Sequence, residues 1–403
     1  MSNENNAGYN KKSVKDVDVK GKKVLLRCDF NVPMDKNTGT ITDEGRITAA
    51  LPTINYLLEQ GAAVIACSHF GRPKGEFKAE FSLSPVAECL SKHLGKPVKM
   101  AKDVIGPDAT TLAKELMPGE IMLIENTRFH KEEEKNDPEF AKKLADMADI
   151  FVSDAFGSVH RAHASTEGVS HYLPAVSGFL LKKELDNIGG AISNPKRPLV
   201  AILGGAKVSD KLGVINNLMK IADSIIIGGG MAYTFFKAQG GNIGNSLCED
   251  SEFENVLKML EQAKAKGVKL LLPTDSVAAP EFSNEGEPVI VSSDAIPDGK
   301  MALDIGPKAI EEFTKEIAGA GTIVWNGPMG VFEFSKYAEG TRSVAEAVAN
   351  SNAISIIGGG DSAAAVRKFG MEDKITHIST GGGASLEFME GKILPGIACL
   401  LDA

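Results

Sequence analysis

Short apolar runs rich in β-branched residues punctuate the chain at fairly regular intervals. In the first half they occupy residues 23–30, 62–69, 120–128 and 149–157; in the second half 199–203, 224–228, 269–273, 322–327, 353–358 and 376–381. Several are continuous rather than alternating, as in Ile225-Ile226-Ile227 and Ile354-Ser355-Ile356-Ile357. A strand covered on one face alternates apolar and polar residues, whereas one covered on both faces does not. Between the runs lie stretches with helical spacing, such as 211–221, 252–266 and 341–350. Strands alternating with helices predict parallel sheets with helices on both sides. Two series of such strands predict an α/β protein of two doubly wound, Rossmann-like domains.

The join between the two series falls near residues 179–198. Leu181, Leu185 and Ile188 lie among Lys182, Lys183, Glu184 and Asp186, which predicts a helix over 179–192. Gly189-Gly190 weakens its end, and Asn194-Pro195-Lys196-Arg197-Pro198 stops it. The pattern alone leaves open whether this is a hinge or an ordinary connecting helix. The expected division is a first domain over 1–179, a linking helix and turn over 180–198, and a second domain over 199–391. The Asn-rich first ten residues fit neither series and read either as a disordered arm or as a segment not native to the protein.

In parallel sheets ligands bind beyond the carboxyl ends of the strands, so the residues following each run carry the chemistry. In the second half those residues are glycines: Gly204-Gly205-Ala206-Lys207, Gly228-Gly229-Gly230-Met231, Asn326-Gly327-Pro328-Met329-Gly330, Gly358-Gly359-Gly360-Asp361 and Gly381-Gly382-Gly383-Ala384. Glycine lets backbone N–H groups approach a ligand, and a helix starting there adds the positive end of its dipole. One such turn means little, but five in equivalent positions predict a polyphosphate nucleotide. In the first half the equivalent turns are cationic: Arg27-Cys28-Asp29-Phe30-Asn31, Ser68-His69-Phe70-Gly71-Arg72-Pro73, Glu125-Asn126-Thr127-Arg128-Phe129-His130 and His160-Arg161-Ala162-His163, with Arg46 in a loop after the first strand. The planar fork of arginine matches carboxylate and phosphate. Several arginines on one rim predict a small substrate carrying more than one negative charge.

Composition narrows the function by exclusion. The 403 residues carry 44 Lys+Arg against 53 Asp+Glu, a formal net charge of −9, which disfavours a nucleic-acid binder. The mixed run Lys131-Glu132-Glu133-Glu134-Lys135 is expected to be a solvated face. Cys28, Cys67, Cys89, Cys248 and Cys399 are scattered and lack C-x-x-C spacing, which argues against a disulfide framework or a zinc site and for a reducing, cytoplasmic setting. No apolar run approaches membrane-spanning length. No G-x-x-x-x-G-K-[ST] is present, and the strand ending at Gly228 lacks the acid that a dinucleotide site requires. A phosphotransferase acting on a small carboxylate and a nucleotide-sensing module are both open readings; the latter has no use for Lys207, Asp361 and the arginine rim together.

RCDFNVP (27–33), SHFGRP (68–73), ENTRFH (125–130), DAFGSVHRAH (154–163), GGAKVSDK (204–211), GGGMAYTF (228–235), WNGPMGVFE (325–333), GGGDSA (358–363) and STGGGASLE (379–387) occur in that order over nearly the whole chain. Together they resemble the phosphoglycerate kinase family closely. The resemblance implies two α/β domains around a cleft, with the last dozen residues, about 392–403, returning to the first domain. It implies reversible phosphoryl transfer between 1,3-bisphosphoglycerate and ADP, with Mg²⁺ accompanying the nucleotide, no nucleic-acid or membrane partner, and a monomer.

By motif position the triose would meet Asp29, Phe30, Asn31, Arg46, His69, Phe70, Gly71, Arg72, Arg128 and Arg161. The nucleotide would meet Gly204, Ala206, Lys207, Lys211, Gly228, Gly229, Gly306, Asn326, Pro328, Glu333, Gly358, Gly359, Gly360, Asp361 and Ser362. Glu333 would hold the ribose and Asp361 the Mg²⁺. Arg46 and Lys207, with the N–H groups at Gly360 and Gly382, would act on the group in transfer. Ser362 stands where many members have threonine, and its hydroxyl offers the same contact.

Overall fold

The structure, a computed structural model, describes residues 9–403, so the expectation for the first ten residues lies almost wholly outside it. Two compact units divide the chain: residues up to Asp186 together with Ile393–Ala403, and Asn187–Lys392.

The first unit is built on strands β1 (Lys23–Arg27), β2 (Ala63–Cys67), β3 (Val98–Met100), β4 (Ile121–Leu123), β5 (Ile150–Ser153) and β6 (Ala175–Ser177). They pair in the order β3-β4-β2-β1-β5-β6, every neighbour parallel. Val24, Leu26, Val64, Ala66, Leu123 and Val152 share a core with Ile47, Ile54 and Leu57 of the helix Gly45–Glu59 and Leu90 of the helix Ser84–Leu94. The intervening residues Leu25, Ile65, Met122 and Phe151 are equally buried. Burial on both faces is why these strands read as unbroken apolar runs. The C-terminal segment is tied to this unit by backbone bonds from Gly396 N to Val159 O (2.9 Å), Leu401 N to Ala175 O (2.9 Å) and Lys12 N to Leu401 O (2.8 Å). Lys11 adds an ion pair to Asp402 at 2.7 Å.

The second unit holds β7 (Leu199–Leu203), β8 (Ser224–Ile227), β9 (Asn242–Ile243), β10 (Lys269–Leu271), β11 (Asp275–Ala279), β12 (Val289–Ser292), β13 (Ala295–Ile296), β14 (Met301–Ile305), β15 (Thr322–Asn326), β16 (Ile354–Gly358) and β17 (His377–Ile378). Six form a parallel sheet in the order β10-β8-β7-β15-β16-β17. Val200, Ile202, Ile323 and Trp325 pack on Phe313 and Ile317 of the helix Pro307–Ala318 and on Val344 and Val348 of the helix Glu339–Asn350. Burying each such side chain contributes about 1.5–3 kcal/mol. A separate antiparallel sheet, β12-β11-β14, and the pair β13-β9 complete the unit.

The apolar pattern misses β3 and β6, each three residues long, and the whole β12-β11-β14 sheet. Lys99 interrupts β3, and β12 offers only the three apolar residues Val289-Ile290-Val291, too short a run to stand out. The helix read over 179–192 passes through Gly189-Gly190 instead of weakening there. It runs as Phe179–Glu184, a π-helical turn at Leu185–Gly189, and Gly190–Ser193. The division between the units falls inside that π turn.

Candidate active site

All the cationic turns of the first unit follow strands of one parallel sheet, so they lie along its carboxyl edge. After β1 the chain turns through Asp29, Phe30 and Asn31. Phe30 is fully buried, and its N–H donates to Ser68 Oγ at 2.9 Å. Asn31 Oδ1 accepts from Gly71 N at 3.0 Å, joining the turns after β1 and β2. Asn126, after β4, accepts from Phe70 N (3.0 Å) and donates to Phe70 O (2.7 Å), joining the turns after β2 and β4. Arg128 Nη1 donates to Gly71 O at 2.9 Å. Side-chain amides thus stitch three strand ends into one rigid floor.

Arg46 stands beside this floor. It occupies the second position of the helix Gly45–Glu59, not the loop expected from the sequence, because the helix begins as soon as Gly45 is passed. Its Nη1 donates to Asp29 Oδ1 (3.0 Å) and to Asn31 O (2.9 Å). Nε and Nη2 have no partner among the described residues. Arg72 and Arg161 are exposed, and Arg161 Nε donates to His160 Nε2 at 3.2 Å. Arg128 is largely buried; its Nε has no hydrogen-bond partner among the described residues but lies 3.6 Å from Glu134 Oε1, and burial lowers its pKa.

Arg27 was not singled out by the sequence as a site residue, yet it organises this edge. It is 1% exposed at the end of β1. Its Nε donates to Ser165 Oγ (2.8 Å), Nη1 bonds Cys28 O, and Nη2 lies 3.1 Å from His69 Nδ1. A guanidinium only donates, so Nδ1 of His69 accepts and a neutral ring carries its proton on Nε2. Burial, then the charges of Arg27, Arg128 and Arg46, hold the His69 pKa well below its ordinary value. His69 is therefore a neutral N–H donor among arginines. The run 131–135 corrects the sequence reading: Glu133 is fully buried, and its Oε1 accepts from Ser165 N at 2.7 Å.

In the second unit the five glycine turns follow β7, β8, β15, β16 and β17, all in one parallel sheet. Gly204–Lys207 and Asn326–Pro328 are pressed together: a Cβ on Gly327, whose φ is +101°, would stand 2.1 Å from Gly204 O. Gly229, after Gly228, likewise has φ +72° and would meet Gly205 O at 2.5 Å. Only glycine permits this backbone packing. Ser362, 1% exposed, accepts from Gly327 N at 2.6 Å and pins the β15 turn to the helix Gly360–Lys368. The helix Gly382–Met389 starts beside it, and a Cβ on Gly382 would lie 3.4 Å from Gly360 N. Gly358 and Gly359 lead into the first of these helices, Gly359 with φ +92°.

Lys211 Nζ bonds Asn326 Oδ1; burial lowers its pKa, opposed by the negative fields of Asp210, Asp361 and Glu390. Ala206, Lys207, Gly360 and Asp361 are exposed, while Pro328 is half-buried. Asp361 accepts no hydrogen bond from the described residues. Gly306 and Glu333 stand off the parallel sheet. Gly306 caps the helix after β14 and is wedged against the Asp275 carboxyl group; Glu333 is exposed in a loop tied to β14 by Val331 N to Leu303 O at 2.8 Å.

Both edges are built to receive anions, one mainly through backbone amides and two lysines, the other through guanidinium groups. That pairing on two parallel sheets points to a phosphotransferase with a small anionic acceptor. The phosphoglycerate kinase family model matches residues 14–392. A phosphoglycerate kinase from Clostridium botulinum is 58% identical over 397 residues, covering 98% of this chain and 99% of that protein. Another from Clostridium tetani is 56% identical, covering 98% of each. The solved phosphoglycerate kinase from Coxiella burnetii superposes with a TM-score of 0.91 at 45% identity, over 96% of this chain and 98% of that one. The chain belongs to the phosphoglycerate kinase family. It is a kinase with a carboxyl group as acceptor, and its reaction is the glycolytic transfer between 1,3-bisphosphoglycerate and ADP. No helix among the described residues is long and apolar enough to cross a membrane.

Proposed function

We propose that the first unit binds the triose through Asp29, Asn31, His69, Arg72, Arg128 and Arg161, and that the second unit binds the nucleotide along its glycine turns. The observation that carries this division is the contrast between the two sheet edges. The phosphates of a nucleotide suit backbone amides at helix starts, and a compact trianionic acid suits several guanidinium groups on one edge. We assign residues 180–198 as the hinge through which the two substrates are brought together.

In the direction of ATP formation a β-phosphate oxygen of ADP attacks the acyl phosphorus. The bond from phosphorus to the acyl oxygen breaks, and 3-phosphoglycerate leaves as a carboxylate. No proton moves, so no general base is needed. Catalysis is then positioning and stabilisation of charge on the equatorial oxygens. Arg46, with Nε and Nη2 uncommitted, and the exposed Lys207 meet that charge; the N–H groups at Gly360 and Gly382 add to it. His69 supplies a neutral donor to the triose without raising the positive charge further.

Mg²⁺ usually keeps several waters and takes one or two carboxylates together with substrate phosphates. Asp361, exposed in a first helical turn and free of protein hydrogen bonds, fits that demand. The ion would neutralise phosphate oxygens there. Ser362, Lys211 and Asn326 hold the turn beside it, and Glu333 would take the ribose. A cytoplasmic setting agrees with the five free cysteines, and we take the protein as a monomer.

The assignment is tested with Arg161→Ala in a coupled assay with 3-phosphoglycerate, ATP and Mg²⁺. The exposed Arg161 grips a phosphate that does not react, so KM for 3-phosphoglycerate should rise more than kcat falls. An unchanged KM would remove Arg161 from the triose site.

A further inference from the structure

Outside this site, three side chains of different donor type converge on the first unit. Glu44 is the N-cap of the helix Gly45–Glu59, yet its side chain makes no capping hydrogen bond. It turns instead to His93, with Oε2 2.7 Å from Nε2, and accepts from the Cys89 thiol. Cys89 and His93 are four residues apart on the helix Ser84–Leu94, so they share one face. The sulfur, imidazole and carboxylate donors all lie within 4.8 Å of one another. Cys89 is only 6% exposed, whereas Glu44 and His93 reach solvent.

We propose that Glu44, Cys89 and His93 form a binding site for a borderline-soft divalent transition ion of the Zn²⁺ class. Thiolate, imidazole and carboxylate together are the donor set that such an ion prefers, and hard Mg²⁺ does not take sulfur. In a tetrahedral site with bonds of about 2.0–2.3 Å the donors stand roughly 3.3–3.7 Å apart. Here Glu44 Oε2 and His93 Nε2 stand 2.7 Å apart and all three donors fall within 4.8 Å, so small rotations of the two solvent-facing side chains would set that spacing. Three protein donors leave a fourth position for water. Binding exchanges the Cys89 thiol proton for the metal, since the thiolate is the ligand. Both residues sit on one well-bounded helix, with Pro85 in its first turn and Gly95, φ +63°, closing it two residues after His93. The sequence showed no zinc spacing because Glu44 comes from a distant element and Cys-x-x-x-His alone is half a site.

The test uses Co²⁺ as a spectroscopic stand-in, titrated into the full-length, nucleotide-free protein with excess Mg²⁺ present. One equivalent should produce intense visible d–d bands of a tetrahedral ion and a near-ultraviolet sulfur-to-cobalt band, both bleached by Zn²⁺. Cys89→Ser should abolish the sulfur band while kinase activity persists. His93→Gln, at an exposed position that cannot disturb the core, should weaken Co²⁺ binding tenfold or more. Cys248→Ser should change nothing. A weak octahedral spectrum without the sulfur band, or a sulfur band lost in Cys248→Ser and kept in Cys89→Ser, would overturn the proposal.

Discussion

Replacing Arg46 by alanine separates the work of this residue on the reaction from its work on the fold. In the structure its side chain is 46% exposed and paired through one nitrogen to Asp29. A pair of that kind contributes about 0.2–1 kcal/mol after screening, so Arg46→Ala should shift the unfolding midpoint only slightly. If its remaining N–H groups meet charge developing on the phosphoryl group, the loss in turnover is far larger. Removing one donor of that type costs roughly 10²-fold in kcat, or about 2.7 kcal/mol. A stability change below about 1 kcal/mol beside that loss in kcat is the expected signature. Arg46→Lys should keep the pair with Asp29, and hence stability, but recover little activity, because a point charge cannot reproduce the fork. The assay is steady-state kinetics with each substrate varied, alongside denaturant unfolding of the same preparations. A variant whose KM rises while kcat stays intact would place Arg46 with the binding rim and refute the catalytic assignment.

Asp361→Asn preserves the start of the helix but removes the carboxylate, so nucleotide affinity without Mg²⁺ should stay near that of the parent while the gain on adding Mg²⁺ disappears; calorimetric titration at two Mg²⁺ concentrations reads this, and a retained Mg²⁺ effect would return Asp361 to a structural role. Glu133→Gln takes the negative charge from the buried cluster of Arg27 and Ser165 and should destabilise the first unit by about 3 kcal/mol, seen in its denaturant midpoint; a neutral result would show that Arg27 is compensated elsewhere. His69 carries the pH dependence: its folded pKa lies below the ordinary 6.5, so below that pH the unfolded chain binds a proton that the folded one refuses. Stability contributed by His69 is therefore complete above about pH 6.5 and falls by up to about 1.4 kcal/mol per pH unit on acidification. His69→Gln should lose less stability between pH 7.5 and 5.5 than the parent; equal losses would show that His69 does not titrate as argued.

Much of the frame was legible because it depends on local pattern. Strands buried on both faces must be apolar throughout, and a glycine at φ +101° whose Cβ would stand 2.1 Å from a carbonyl oxygen admits no other residue, so both leave marks in a single sequence. The short edge strands left none. A three-residue strand such as β3, with Lys99 at its centre, has too few positions for a period to be read. Arg46 was placed in the right neighbourhood but the wrong element, since a Gly45 start without a side-chain cap gives no boundary signal. Gly306 was assigned by motif, yet locally it answers to Asp275, whose carboxyl group accepts from the N–H groups of Lys308 and Ala309 and fills the space a Cβ would take.

The cluster around Arg27 shows why a site's supports escape such reading even when its contacts do not. A guanidinium that is 1% exposed needs an opposite charge and filled hydrogen bonds, or its desolvation is unrecovered. Ser165 links it to a buried carboxyl group: its hydroxyl accepts from Arg27 Nε while its N–H donates to Glu133 Oε1, and Cys28 O and His69 Nδ1 take further donors. Arg27, Glu133 and Ser165 sit on three separate segments, and each looks ordinary in its own: a residue ending a strand, a member of a charged run, a serine in a turn. Glu133 lies in a run whose neighbours Glu132 and Lys135 are exposed, so its local composition argues for solvent, and only the buried cation more than a hundred residues away argues otherwise. The same cation fixes the tautomer of His69 and with it a neutral N–H donor on the carboxyl edge of the first sheet. The identity of the arginines could thus be read along the chain, but the protonation state of the histidine among them follows only from what is buried beneath it.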